Sequence, residues 1–328
     1  MHYSPSEKLE IIKLVEQSDL GVNRTLKELK VHKSTFYKWY QRYRYEGKEG
    51  LQRKKSSVLS WNRINDADRD KIVEIALDKP ELSSREIAWF ITDNLGYYIS
   101  ESSVYRILKA NNLVTVAPFN IISAGDKFQD PTRRVNEMWQ TDFTYFKIYG
   151  WGWYYLSTIL DDYSRYIIHW KLCSTMKSND VQETIDEALL KTELSTVPRL
   201  LSDNGSCYIS KDLKEYLTEI EMDHVRGRPA HPQTQGKIER YHRTMKNVIK
   251  LDNYFSPGQL EQSMHTFVEY YNQKRYHESI HNLTPADVFY GRAERILKRR
   301  KKIKTKTLSE RKKQNQKLNV NSFKSILF

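Results

Sequence analysis

The chain has 328 residues, 54 of them Lys or Arg against 41 Asp or Glu, for a formal net charge of +13; the length favours two or three domains over one core, and the charge asks for a polyanionic partner, nucleic acid ahead of an acidic membrane surface. Its two cysteines, Cys173 and Cys207, exclude a disulfide framework or a paired-cysteine zinc site and fit a reducing, intracellular setting. The lack of any run of about 18 apolar residues, of an apolar stretch within MHYSPSEKLEIIK and of a G-x-x-x-x-G-K-S/T run argues against a membrane span, a secretory signal and a nucleotide cofactor.

Ser4 caps a first helix, with Pro5 at its first position and Glu7 closing a capping box, and Leu9, Ile12, Leu14 and Val15 make its apolar stripe. After a break at Asp19 to Gly21, Thr25 to Leu29 reads as a short helix and Lys33 to Arg44 as a third. Phe36, Trp39 and Tyr40 share one side of that third helix; Lys33, Ser34, Thr35, Tyr37, Lys38, Arg42 and Arg44 share the other. Small polar groups in a first turn followed by basic ones suit a recognition helix, whose start meets base edges and whose later residues meet phosphates. Beyond a polar break at Arg53 to Ser60 a second trihelical pattern follows. It comprises Asp66 to Leu77, a helix over Ile87 to Leu95 opened by the box Ser83-Ser84-Arg85-Glu86, and a helix capped by Ser100 that carries Ser102, Ser103 and Arg106. An ordinary small helical bundle is the plain alternative for either module. From Leu113 to Glu137 periodicity is lost, Pro118, Gly125 and Pro131 appear together with Lys127, Arg133 and Arg134, and the stretch reads as a linker.

Met138 to Ile148 alternates polar and bulky residues and ends in the turn Tyr149-Gly150-Trp151-Gly152; with Trp153 to Leu160 and Tyr166 to Leu172 it predicts a three-stranded antiparallel meander. A helix over Ser178 to Leu190 leads to Pro198 to Ser202, apolar enough for a buried parallel strand. In such a sheet Asp142 within the first strand and Asp203 just after the fourth can stand side by side. A helix at Lys211 to Ile220, a short extended stretch at Met222 to Val225 and the loop Arg226 to Gly236 precede a helix over Gly236 to Ile249. Glu239, His242, Arg243 and Lys246 lie at i, i+3, i+4 and i+7 of that helix, a carboxylate amid basic residues. Three carboxylates suit phosphodiester chemistry with two divalent ions, because hard cations take oxygen ligands and leave positions for water and phosphate oxygens. Strand exchange is nearly isoenergetic, so no nucleotide motif is required.

Three segments carry a resemblance. Trp139-Gln140-Thr141-Asp142-Phe143-Thr144, Ser202-Asp203-Asn204-Gly205-Ser206 and His231-Pro232-Gln233-Thr234-Gln235-Gly236-Lys237-Ile238-Glu239-Arg240 are similar to the acidic motifs of DDE transposases and retroviral integrases, with 35 residues between Asp203 and Glu239 and Lys246 seven past the Glu. Tyr271 to His277, followed by Leu283-Thr284-Pro285, resembles the region after the core in bacterial insertion-sequence transposases. The resemblance implies a multidomain chain: all-α tandem helix-turn-helix modules, an α/β RNase H-like catalytic core with a mixed five-stranded sheet, then a helical and basic C-terminal region. The expected divisions are 1–52 and 60–112 for the two DNA-binding modules, 113–136 for the linker, 137–255 for the core, 256–292 for helices packed on it and 293–328 for a basic tail. It further implies catalytic and metal-ligating roles for Asp142, Asp203 and Glu239, two Mg²⁺ ions for which Mn²⁺ can substitute, double-stranded DNA partners (terminal inverted repeats and target) and a homo-oligomer on DNA. A cytoplasmic, nucleoid-associated protein of bacterial origin follows. Lys237, Arg240, Arg243, Lys246, Arg133, Arg134, Arg299 and Arg300 join the helix-turn-helix residues as expected DNA contacts. Two readings without joining activity stand beside this one: an inert sequence-specific regulator, and a structure-selective nuclease.

Other features have plainer readings. Asp161 and Asp162 lie between two strands and read as turn residues rather than rival ligands. His277-Glu278-Ser279-Ile280-His281 matches H-E-x-x-H, but Asn282 to Pro285 interrupts any helix at once, so a zinc site is not expected. His231 and His242 read as DNA contacts or local hydrogen-bonding groups, and Trp151, Trp153, Tyr154 and Tyr155 as hairpin and core aromatics. From Arg292 to Phe328 the net charge is +12, leaving +1 for everything upstream; the run Lys298 to Lys304 predicts a poorly ordered phosphate-binding tail, with a solvated helix as the alternative.

Overall fold

The computed structural model describes residues 3–52, 59–114, 132–227, 236–249 and 254–324, the side chains of 321–324 excepted. Most of the 53–60 break, residues 115–131 of the expected linker and residues 228–235 before Glu239, His231 among them, lie outside the described residues. Two compact units divide the chain, residues 1–63 with 311–328 and residues 64–310.

In the first unit α1 (Pro5–Gln17) starts on the expected capping box, in which Ser4 Oγ accepts the Glu7 N–H at 3.2 Å and the Glu7 carboxylate accepts the Ser4 N–H at 2.6 Å. It packs with α2 (Val22–Glu28) and α3 (Lys33–Glu46) around Ile12, Val15, Leu26, Val31 and Phe36. In the second unit α4 (Asp66–Asp78), α5 (Ser84–Asn94) and α6 (Glu101–Ala110) enclose Ile72, Ile87, Ile91, Ile99, Val104 and Leu108. Both modules are therefore trihelical, each with its own apolar centre.

Period-2 alternation gives β1 (Met138–Ile148), β2 (Gly152–Asp161) and β3 (Ile167–Cys173), antiparallel neighbours. Gly150 and Gly152, at φ +77 and +94, make the turn between β1 and β2. The short β4 (Arg199–Ser202) and β5 (His224–Arg226) add in parallel on the far side of β1, for a mixed sheet in the order β3-β2-β1-β4-β5. Helices cover both faces. α7 (Ser178–Leu190) and α8 (Lys211–Glu219) close one over Trp139, Ile159, Leu200 and Tyr208; α9 (Gly236–Ile249) and α10 (Pro257–Gln273) close the other over Phe146, Ile148, Leu156 and Leu160.

Past α10 come the short α11 (Pro285–Phe289) and then α12 (Ala293–Lys324). The expected disordered tail is thus one 32-residue helix. No Gly or Pro interrupts it, and anchors hold it. In the second unit Arg300 is 5% exposed. Its guanidinium donates to both Asp93 carboxylate oxygens at 2.9 and 2.6 Å and to the carbonyls of His281 and Asn282 at 3.1 and 2.9 Å, and it lies 4.3 Å from the Trp89 ring. Seven residues on, Thr307 Oγ1 accepts the Tyr98 N–H at 3.0 Å. In the first unit Arg311 donates to Asn62, Asn315 to the carbonyls of Trp61 and Arg63, and Asn319 exchanges two hydrogen bonds with the Leu59 backbone. Arg300 is accordingly an internal anchor rather than an exposed DNA contact, and Arg299, half exposed, leans on Asp93 at 3.4 Å.

Of the aromatics read as hairpin and core residues, Trp151 and Trp153 are 59% and 52% exposed on the β1–β2 hairpin. Tyr154 alone of that group packs against the apolar cluster beneath α9 and α10. No helix among the described residues is long and apolar enough to cross a membrane.

Candidate active site

The β1–β4 register builds the site. Gln140 pairs with Leu201, so two more residues along each strand lead to Asp142 and to Asp203, the first residue beyond β4. Asp142 Oδ1 accepts the N–H of Phe143 at 2.8 Å, and Oδ2 stands 3.2 Å from Nδ1 of His242, a buried residue of α9. Asp203 Oδ1 accepts the Gly205 N–H at 2.8 Å, a tight local turn in which a Cβ at residue 205 would stand 3.0 Å from that oxygen. Asn204 donates to the Gly227 carbonyl at 2.8 Å and ties this turn to the end of β5.

Beneath the two carboxylates lies Tyr208, wholly buried, its hydroxyl 3.4 Å from Thr141 Oγ1. Burial first, and then the charges of Asp142 and Asp203, hold that phenol far above its ordinary pKa. The same causes push the Cys207 thiol up to about 11. Glu239 sits exposed in the first turn of α9; partial burial and the charge of Asp142 raise its carboxyl pKa, while His242 and Arg243 oppose the rise. Among the described residues no group of three or more His, Cys, Asp or Glu side chains stands close enough to grip a metal ion. The donor set is one of hard oxygens at a solvent-accessible edge, the chemistry that Mg²⁺ or Mn²⁺ takes, with Asp142 fixed through His242 and the other two open to solvent.

The basic residues around it divide. Arg240 and Arg243 are exposed on α9, and the Lys246 ammonium lies 4.9 Å from the Tyr145 ring. Lys237 turns inward instead, its ammonium on the buried Asp162. It is 32% exposed in its side chain and occupied by that carboxylate rather than presented to DNA. Arg133 and Arg134 are exposed, and their N–H groups donate to the Glu137 carboxylate at 2.7 and 3.2 Å. On α3 Lys33, Ser34, Tyr37, Lys38, Arg42 and Arg44 are exposed and Thr35 half-buried, while Ser34 shares its hydroxyl with His32 at 2.8 Å. On α6 Ser102 and Arg106 are exposed, whereas Ser103 is half-buried against Ser100 at 2.8 Å.

Asp161 is a turn residue: its carboxylate accepts from the Asn136 N–H and from the N–H and hydroxyl of Ser164. In the H-E-x-x-H segment only Glu278–Ile280 is helical, as one 3₁₀ turn, and His281 is left-handed at φ +59, so the two imidazoles do not share a helix face. Sequence reasoning left Gln140 and Tyr208 without a role, and read Asp162 as a turn residue and Lys237 as a DNA contact rather than as partners of each other. Gln140 carried a signal, a polar side chain two residues before Asp142 and hence on its side of the strand.

Comparison with known proteins agrees with this architecture. An integrase core domain model matches residues 132–232 and a second matches 220–285; homeodomain-like domain models match 2–52 and 35–108. The transposase for insertion sequence element IS629 of Shigella sonnei is 24% identical over 288 residues, covering 84% of this chain and 93% of that protein. The transposase for transposon Tn552 of Staphylococcus aureus is 23% identical over 301 residues, covering 83% of this chain and 62% of that protein. Among solved structures, the catalytic core domain of HTLV-2 integrase in complex with magnesium aligns at 22% identity and a TM-score of 0.38, over 48% of this chain and 97% of that one. The homeodomain-like modules and the transposase relatives imply that the chain binds DNA. With both modules and an integrase core in one polypeptide, the chain belongs to the DDE transposase and retroviral integrase superfamily, as a DNA transposase of the insertion-sequence kind.

Proposed function

We propose that Asp142, Asp203 and Glu239 together ligate two Mg²⁺ ions, with Mn²⁺ able to replace them, and that the chain cuts and joins DNA strands at the terminal inverted repeats of a mobile element. The observation that carries this reading is the parallel β1–β4 register, which brings Asp142, within β1, alongside Asp203, just past β4, with Asp142 in contact with His242 of α9. Bound ions would activate a water or 3′-hydroxyl and steady the leaving oxygen. His242 orients the Asp142 carboxylate from behind, as an outer partner of a ligand does. Three carboxylates repel one another, so the set closes on cations rather than ahead of them. Arg240 and Arg243, exposed beside Glu239, are suited to phosphates of the strand being cut. The exposed faces of α3 and α6 read the element's ends, and a homo-oligomer on DNA brings two ends and a target duplex together in the bacterial cytoplasm, at the nucleoid.

Glu239→Gln removes one anionic ligand and little volume. Mg²⁺-dependent joining of end DNA is expected to fall more than about a hundredfold, with end-DNA binding in a gel-shift titration close to the parent's. Joining at the parental rate by this variant would refute the assignment.

A further inference from the structure

The geometry points to Asp162, with Gln140 and Lys237, as a positioning latch that seats the first turn of α9 on the sheet and so sets where Glu239 stands; the catalytic half of this inference rests on Glu239 being a metal ligand. Asp162 is 2% exposed at the end of β2, and its backbone N–H donates to the Met138 carbonyl at 3.0 Å. One carboxylate oxygen accepts from Gln140 Nε2 at 2.6 Å; the other accepts from Thr132 Oγ1 at 2.5 Å and from the Lys237 ammonium, which also reaches the Asp162 carbonyl at 3.1 Å. Gln140, 1% exposed, turns its amide oxygen the other way and accepts the N–H of Ile238 at 3.1 Å. That N–H belongs to the first turn of α9, where backbone donors have no partner inside their own helix.

Residues 237 and 238 are thus both fastened to β1 and β2 by side chains, and residue 239 is the proposed ligand. The remainder of α9 has its own hold. Tyr241, Met245 and Ile249 are buried against the sheet and α10, so attachment of the helix as a whole does not depend on Asp162. A hydrophobic seam lets a helix slide or rotate by a fraction of an ångström at little cost, whereas a buried carboxylate keeps its stability only with its donors in place. Such a pair contributes specificity of position more than stability. Ligand position is what metal chemistry is most sensitive to, since misplacement by about 1 Å costs as much as about a hundredfold in rate.

Asp162→Asn keeps the shape and removes the charge; Gln140→Leu removes the link to Ile238 together with one donor to Asp162; Lys237→Met removes the ammonium and Lys237→Arg returns a cation. The readouts are amide hydrogen exchange, titration with Mn²⁺ alone followed by its electron paramagnetic resonance, and the kcat and KM of end joining. In Asp162→Asn and in Gln140→Leu, exchange at residues 238–242 is expected to quicken while β1 and β2 amides keep the parental rate. Mn²⁺ affinity and kcat are expected to fall about ten- to a hundredfold with KM for end DNA unchanged. Lys237→Arg should recover part of the kcat lost in Lys237→Met, and the double variant Asp162→Asn/Lys237→Met should be no worse than its weaker single. Parental exchange and Mn²⁺ affinity in Asp162→Asn and Gln140→Leu, or additive losses in the double variant, would overturn the latch. The two assignments separate cleanly. Quickened exchange in Asp162→Asn beside full joining by Glu239→Gln strikes the ligand reading alone; parental exchange beside an inactive Glu239→Gln strikes the latch alone.

Discussion

His277, the residue that a zinc reading of H-E-x-x-H would need as a ligand, is partly buried, with its Nε2 fully covered, and is kept neutral. Its ring stands edge-on to Tyr271 with centroids 4.8 Å apart, and its Nε2 is wholly buried with no hydrogen-bond partner among the described residues. Burial, followed by the charges of Arg275, Arg165, Arg85 and Arg240, pushes its pKa down from 6.5 to about 3. The unfolded chain takes up a proton near pH 6.5 that the folded chain does not bind until near pH 3. Stability attributable to this group is therefore intact above pH 6.5 and is lost progressively as pH falls below it, by about 2 kcal/mol at pH 5. His277→Gln should consequently lose less stability than the parent between pH 7.5 and 5, read from urea midpoints at each pH. Parallel losses in the two proteins would show that the imidazole titrates normally in the fold.

Among the elements, those with local signatures were legible. The capping boxes at Ser4 and Ser83 start α1 and α5 at the residues expected, and the period-2 run from Met138 to Ile148 is β1 to the residue. The fold class and the positions of Asp142 within β1 and Asp203 just past its neighbour β4 follow from such signals. What stayed hidden depends on partners distant along the chain: Lys237 meets Asp162 across 75 residues, and Arg300 meets Asp93 across 207. A cationic run looks the same in sequence whether solvated or anchored, which is why α12 read as a loose tail. Its anchor gives a test. Arg300→Met takes from Asp93 its two shortest donors, leaving only Tyr276 and Arg299 at 3.3 and 3.4 Å, and leaves two carbonyls without the guanidinium; it should destabilise the unit of residues 64–310 by about 3 kcal/mol, seen as an earlier thermal transition with loss of helical ellipticity. Replacing both partners, Asp93→Leu with Arg300→Met, should restore much of the loss. If Arg300→Met melts with the parent, the guanidinium is not the anchor described.

On the scale of the whole molecule, nearly all of the net charge lies on α12 and its flanks, +12 of +13, yet the element is two-sided. Arg300, Thr307, Arg311 and Asn315 are buried at helical spacing, while Lys298, Lys301, Lys302 and Lys306 line an open cleft with Thr305 and Ser309. That second side presents ammonium groups to solvent, where phosphates can meet them. Its contribution should be sequence-blind, because ammonium groups neutralise phosphates without reading bases. The exposed face of α3 differs, with Ser34 and Thr35 in the first turn and Lys38, Arg42 and Arg44 further along. Changing the four cleft lysines to Gln should weaken binding to end DNA and to unrelated duplex alike, and make the slope of log affinity against log salt shallower by up to about 3.6, at about 0.9 per phosphate. Thr35→Ala with Ser34→Ala should leave that slope nearly unchanged and narrow the preference for end DNA over unrelated duplex. Fluorescence anisotropy across a salt series measures both, and a lysine variant with an unchanged slope would mean that the cationic side of α12 faces away from DNA, leaving the duplex to the helix-turn-helix modules and the basic residues of α9.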